Sequence, residues 1–153
     1  MRWLELRIPP LIVWLLAAGA MVGVARLAPA LSFMLAASPA IALALAVLGA
    51  ALAVAGVVAF RGKRTTVNPL TPGAASSVVS HGVYRVSRNP MYLGFLLALV
   101  GWAVYLSNAG AALLLPVFVA YMTRYQIKPE ERALLEKFGP EFAQYMARVR
   151  RWL

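Results

Sequence analysis

Three short runs hold most of the side chains in this chain that could do chemistry. His81-Gly82-Val83-Tyr84 and Arg88-Asn89-Pro90-Met91-Tyr92 bring together the single histidine, a guanidinium, an amide and two phenols. Glu130-Glu131 sets two carboxylates side by side in a chain that has five acids in all and no aspartate. Cysteine is absent, so disulfides, thiolate nucleophiles and cysteine metal sites are excluded. What these residues offer is binding: both signs of charge, and the free backbone N–H groups of two helix starts. Taken singly, each has an ordinary reading. Arg88 could snorkel to headgroups, Tyr84 and Tyr92 could belong to an interfacial aromatic belt, and one acid at a helix start complements the dipole. A pair of acids, and the company these residues keep, ask for more.

The elements that must position them are membrane helices. Hydrophobic residues make up 62% of the chain and charged ones 13%, against about 45–50% apolar in an average soluble domain. A span needs roughly 20 apolar residues. Residues 8–25 supply one, and about Ile41 to Phe60 a second, preceded by the helix-breaking Pro29, Ser38 and Pro39. The uncharged run from Asn89 to Thr123 is too long for one crossing, and Ser107-Asn108-Ala109-Gly110 near its middle reads as a turn. It divides into a hairpin of about Pro90 to Leu106 and Ala109 to Gln126. The expected fold is therefore all-α, an integral membrane four-helix bundle with short C-terminal helices at the cytoplasmic interface. The other reading of the first span is a cleaved signal peptide, with Arg2 and Arg7 before the apolar core and Ala28-Pro29-Ala30 as the cleavage site.

Basic residues orient the bundle. Arg61, Lys63, Arg64, Arg85 and Arg88 fall in one stretch without an acid, and Arg124, Lys128, Arg132, Lys137, Arg148, Arg150 and Arg151 follow the last span. Both termini and the 61–88 loop are thus expected in the cytoplasm, of a multi-pass protein of a prokaryotic inner or cell membrane. The net charge of +10 clusters beside the spans, where it suits anionic headgroups rather than nucleic acid.

The chain reads as one domain, 1–153, in four parts. Residues 1–60 form two scaffold spans in which Gly19, Gly23, Gly49 and Gly56 permit close packing. Residues 61–89 are a cytoplasmic loop, irregular around Pro69, Thr71, Pro72 and Gly73. Residues 90–126 are the hairpin, where Asn89 can cap the entering helix and Pro90 can occupy its first turn. Residues 127–153 are a covering tail: Lys128-Pro129-Glu130-Glu131 starts a helix, and Gly139-Pro140 ends it and starts another. Leu134, Phe138, Phe142, Tyr145 and Val149 line one side of that tail at helical spacing. Because the hairpin turn is short, Pro90 and Gln126 lie on the same membrane face, and the basic-aromatic cluster converges with the paired acids.

His81-Gly82-Val83-Tyr84, Arg88-Asn89-Pro90-Met91-Tyr92-Leu93-Gly94, and Glu130-Glu131 with Phe138-Gly139, Tyr145 and Arg148-Val149 resemble the integral-membrane methyltransferases of the isoprenylcysteine carboxyl methyltransferase family, whose relatives include phospholipid methyltransferases. The resemblance covers about Arg64 to Leu153; the first two spans match only in being apolar. It implies S-adenosylmethionine bound on the cytoplasmic side, S-adenosylhomocysteine as product, no metal, and a membrane lipid or lipophilic small molecule as acceptor, admitted through the membrane. On it, His81, Gly82, Tyr84, Asn89, Pro90, Tyr92, Glu130 and Glu131 are the expected cofactor-binding residues. Glu130 or Glu131 would meet the ammonium or ribose, His81 or Arg88 the carboxylate, and Tyr84 or Tyr92 the adenine. Arg88 and Arg148 are the expected catalytic residues, orienting the acceptor. The chain has Asn89 where many members have histidine, and an amide cannot titrate near neutrality. Two other readings stand beside this one. A nicotinamide-dependent membrane reductase shares the architecture, but the chain has no Gly-x-Gly-x-x-Gly run. A non-enzymatic membrane subunit that binds lipid or a partner explains the charges and leaves the Glu130-Glu131 pair accidental.

Overall fold

The computed structural model describes residues 2–36, 38–62 and 75–153, and among them it is all-α, with no strand beyond an isolated bridge between Ser32 and Asn108. The loop residues Lys63, Arg64, Pro69, Thr71, Pro72 and Gly73 lie outside the described residues. Two helices are long and apolar enough to cross a membrane: α1, Pro10–Leu27, and α2, Ser38–Gly62. Helix α3, Pro90–Leu106, is apolar and slightly shorter. The return leg of the hairpin runs as α4, Ala109–Ala112, and α5, Leu114–Met122, and then widens into a π-helical turn at Thr123–Ile127. Helices α6, Lys128–Phe138, and α7, Pro140–Arg148, follow, parted at Gly139, whose φ of 51° is in the left-handed region glycine tolerates.

Between apolar helices in lipid the hydrophobic effect contributes little, so close approach and internal hydrogen bonds decide the packing. Helices α2 and α3 cross where Gly49 faces Gly94. A Cβ on Gly49 would stand 2.5 Å from the Gly94 carbonyl oxygen, and one on Gly101 would stand 2.8 Å from that of Ala42. Gly56 faces the Met91 side chain, not backbone. Gly19 and Gly23 differ from the expectation: an added Cβ at either meets nothing within 4 Å, so on α1 these glycines make no close approach. The core between α1, α3 and α5 holds Met21, Leu99, Phe118, Met122 and Ile127.

Hydrogen bonds close the bundle at both ends. At one end Ser107 turns left-handed (φ 47°) and Asn108 caps α4 by accepting from the Ala111 N–H at 2.9 Å. The amide of Asn108 donates to Ala28 O and to Ser32 Oγ, each at 2.9 Å, which ties the hairpin turn to the α1–α2 connection. Gly110, expected as part of the turn, is instead in α4, where it lets Val24 and Leu31 approach. At the other end the N-terminal segment grips the π-turn: Leu6 N donates to Tyr125 O, and Gln126 Nε2 donates to Ile8 O at 2.7 Å. The widened turn sets the azimuth at which α6 leaves the bundle and thereby aims its first turn.

Candidate functional site

Phe60 at the end of α2, the 75–79 segment, the start of α3, the π-turn and helices α6 and α7 enclose a cleft of about 780 Å³, its open mouth included. Tyr84, Arg88, Asn89, Tyr92, Glu130 and Glu131, all expected site residues, line it. Pro90 is buried in the first turn of α3 without lining the cleft. His81 and Gly82 are exposed outside it; Gly82 (φ 58°) turns the chain into the 3-10 helix Gly82–Arg85 that carries Tyr84 inward. Arg148 is also exposed, and its Nε donates back to Gln144 O at 3.3 Å.

The end of α7 and the start of α6 converge on Arg88. Its guanidinium donates to Met146 O and Val149 O, both at 2.8 Å, satisfying carbonyls at the end of α7, and to Glu131 Oε1 at 2.7 Å. Glu131 also takes two bonds from Arg151, at 3.0 and 2.7 Å. Asn89 occupies the N-cap position of α3 but does not cap it. Its amide donates instead to Arg151 O at 2.9 Å, and the Arg88 backbone N–H donates to Arg150 O at 3.0 Å. The side chain is drawn away by the better-placed carbonyl of the returning chain, which lies across the helix start. Trp152 fastens the same segment to Thr123 Oγ1 at 3.1 Å.

The paired acids are treated unequally. Burial pushes the Glu131 carboxyl up, but the hydrogen bonds and charges of Arg151 and Arg88 outweigh it and hold it below the usual carboxylate range. Glu130 accepts only from the Tyr92 hydroxyl, at 3.2 Å, and has no cationic partner among the described residues. Burial raises its pKa to about 7; the Tyr92 bond opposes that rise and the charge of Glu131 adds to it. Three further polar atoms of lining residues, Ser77 Oγ, Tyr84 Oη and Arg88 Nε, are buried without a partner among the described residues. No group of residues suited to a metal ion occurs among the described residues. The cleft can therefore hold a ligand with a cation for Glu130, acceptor atoms for Arg88 Nε and the hydroxyls, and apolar parts for Phe60, Leu134 and Phe142.

Sequence reasoning missed Arg151, Ser77, Phe60 and Phe142 as site residues. Arg151 looked like one more headgroup cation beside Arg150, and nothing local marks which of two adjacent arginines turns inward. Ser77 sits in a stretch with no motif.

Residues 37–141, the greater part of the chain, match the family model described as phospholipid methyltransferase. Over 63 residues the chain is 43% identical to an uncharacterised protein of Haemophilus influenzae, covering 41% of this chain and 100% of that protein. It is 39% identical over 72 residues to protein-S-isoprenylcysteine O-methyltransferase A of Arabidopsis thaliana, covering 47% of this chain and 36% of the plant enzyme. It is 40% identical over 67 residues to methanethiol S-methyltransferase 1 of Bradyrhizobium diazoefficiens, covering 44% of this chain and 22% of that enzyme. The chain thus matches little more than a third, at most, of the length of these two methyltransferases. No solved structure matches the chain.

Proposed function

The chain belongs to the phospholipid methyltransferase family, and from that premise we propose that it is an integral membrane enzyme of four spans, both termini cytoplasmic, which transfers a methyl group from S-adenosylmethionine to a lipophilic acceptor. The observation that carries the reading is Glu130: a buried carboxyl in a cleft beside satisfied ion pairs, with no cation of its own among the described residues. S-adenosylmethionine supplies the electrophilic methyl and brings positive charge. Glu130 receives its ammonium or ribose hydroxyls, and Arg88 Nε, left free by the other guanidinium bonds, receives its carboxylate. Leu134 and Phe142 offer an apolar face for the adenine. Glu131 and Arg151 act one step back, holding Arg88 and the 149–152 segment in place. The acceptor's lone pair bonds to the methyl carbon as the carbon–sulfur bond breaks and sulfur keeps the electron pair. Orientation and exclusion of water suffice for a nucleophilic acceptor.

Calorimetry of the purified protein tests the reading. S-adenosylhomocysteine should bind and a nicotinamide dinucleotide should not. Glu130→Gln should weaken S-adenosylhomocysteine roughly ten- to hundredfold, as loss of a charge-assisted hydrogen bond of about 1.5–3 kcal/mol implies. A folded protein that ignores S-adenosylhomocysteine, or prefers the dinucleotide, would refute it.

A further inference from the structure

Two of the cleft's polar atoms that have no partner among the described residues are hydroxyls, Ser77 Oγ and Tyr84 Oη. A buried donor left unsatisfied costs roughly 1–3 kcal/mol. Tyr84, only 4% exposed, is nevertheless held firmly there. Its backbone oxygen accepts from Tyr145 Oη at 2.8 Å, and its ring meets Phe60 edge-on with centroids 5.3 Å apart. Burial, with Glu130 and Tyr145 nearby, raises the pKa of the phenol, so it keeps its proton and stays a donor.

The lining residues come from several elements around one cleft. Arg88, Glu130 and Glu131 come from the start of α3 and from α6. Tyr84 Oη adjoins α2 as well, 3.5 Å from where a Cβ on Gly56 would stand, while Glu130 is near enough to act on its proton. Gly56 and the lining residue Phe60 belong to the last turns of α2, one of the two helices able to cross a membrane. A zwitterion from water is matched by Arg88 and the paired acids, whereas a molecule carried in lipid beside α2 meets Phe60 and, next to Gly56, the phenol.

We infer that Tyr84 Oη and Ser77 Oγ form the subsite for the polar head of the acceptor, which is an amphiphile. Its apolar chain lies against the end of α2, and its head offers acceptor atoms to the two hydroxyl donors while a separate lone pair on oxygen, nitrogen or sulfur stays free for the methyl carbon. The inference rests on the methyltransferase reading above, and it moves Tyr84 from the adenine, for which the expectation was Tyr84 or Tyr92, to the acceptor.

Thermal unfolding of the S-adenosylhomocysteine-saturated protein in detergent tests it, with 1-dodecanol and n-dodecane as probes of equal chain length, with and without a head. Tyr84→Phe removes only the oxygen, and because that oxygen is unpartnered the variant alone should be at least as stable as the parent. Dodecanol should raise the midpoint of the parent and dodecane should not. The variant should need roughly five- to tenfold more dodecanol for the same rise, with unchanged affinity for S-adenosylhomocysteine. Equal responses to the two probes, or equal responses of variant and parent, overturn the inference. So does a variant that loses S-adenosylhomocysteine, since the hydroxyl then belongs to the donor site. A parent that never binds S-adenosylhomocysteine overturns the methyltransferase reading itself, and that result is distinct from the others.

Discussion

At Glu131 the carboxylate takes hydrogen bonds from both Arg88 and Arg151, whereas among the described residues Glu130 receives only the Tyr92 phenol, so burial raises both neighbouring acids and the arginines reverse the result at one of them. Glu131 has a lowered pKa. Its contribution to stability is present above the ordinary carboxylate value and is lost as pH falls below that value through the lowered one. Glu130, raised from 4.5 to about 7, works the other way: its neutral form favours the fold below pH 4.5, and that contribution fades as pH rises to about 7. A cationic ligand needs the ionised acid. Affinity for S-adenosylhomocysteine should therefore rise roughly tenfold between about pH 6 and about pH 8 and then level off, while Glu130→Gln should show no such rise; titration calorimetry at a series of pH values measures both. Breaking the other acid's pairs has a structural cost. Arg88→Ala, at a buried pair, should lose about 3–5 kcal/mol in denaturant unfolding. Arg151→Ala, at a side chain 32% exposed, should lose only about 1–2 kcal/mol. Arg151→Ala should also weaken S-adenosylhomocysteine, and Arg148→Ala, exposed on α7, should leave that affinity unchanged.

Two features govern how the elements meet. Asn108 is 1% exposed and joins three partners: the Ala111 N–H, Ala28 O and Ser32 Oγ. Asn108→Ala should cost about 2–4 kcal/mol, the sum of a lost cap and buried groups left unpaired, and Asn108→Asp should recover the cap alone. The second feature is the glycine crossing of α2 and α3. Gly49→Ala drives a methyl group against the Gly94 carbonyl and must separate the helices, at roughly 1–3 kcal/mol. Gly19→Ala meets open space and should be neutral or stabilising by up to about 1 kcal/mol. Unfolding in detergent, followed by helical signal, ranks the four variants. The π-turn is the element the sequence did not announce. Thr123–Ile127 has ordinary residues, and the extra residue per turn follows from what grips it: residues 6 and 8, and Trp152.

For the molecule as a whole, the Asn108 clamp puts the hairpin turn and the α1–α2 connection at one end, and the cleft with the N- and C-terminal segments lies at the other. Cysteines at the exposed positions Ser80 and Ala109, in a chain with none of its own, should therefore react with an impermeant reagent from opposite faces of a sealed vesicle. Reaction of both from one face would remove the four-span topology.

Composition and run length were enough to determine an all-α chain with membrane-length helices, because lipid forces each backbone polar group to be satisfied within its own helix. Proline and glycine placed the helix boundaries at Pro90 and Gly139, since fixed or positive φ is a local property. Local order also made Arg88, Tyr92 and the paired acids legible as one cluster, through the shortness of the hairpin. Which acid is neutralised, which of Arg148, Arg150 and Arg151 turns inward, and where the Asn89 amide donates were decided only in three dimensions. Each depends on carbonyls and charges brought from residues 131–151 against residues 87–92. Hydrogen bonding and desolvation act across space at contact distance, and spacing along the chain carries no record of which partner wins.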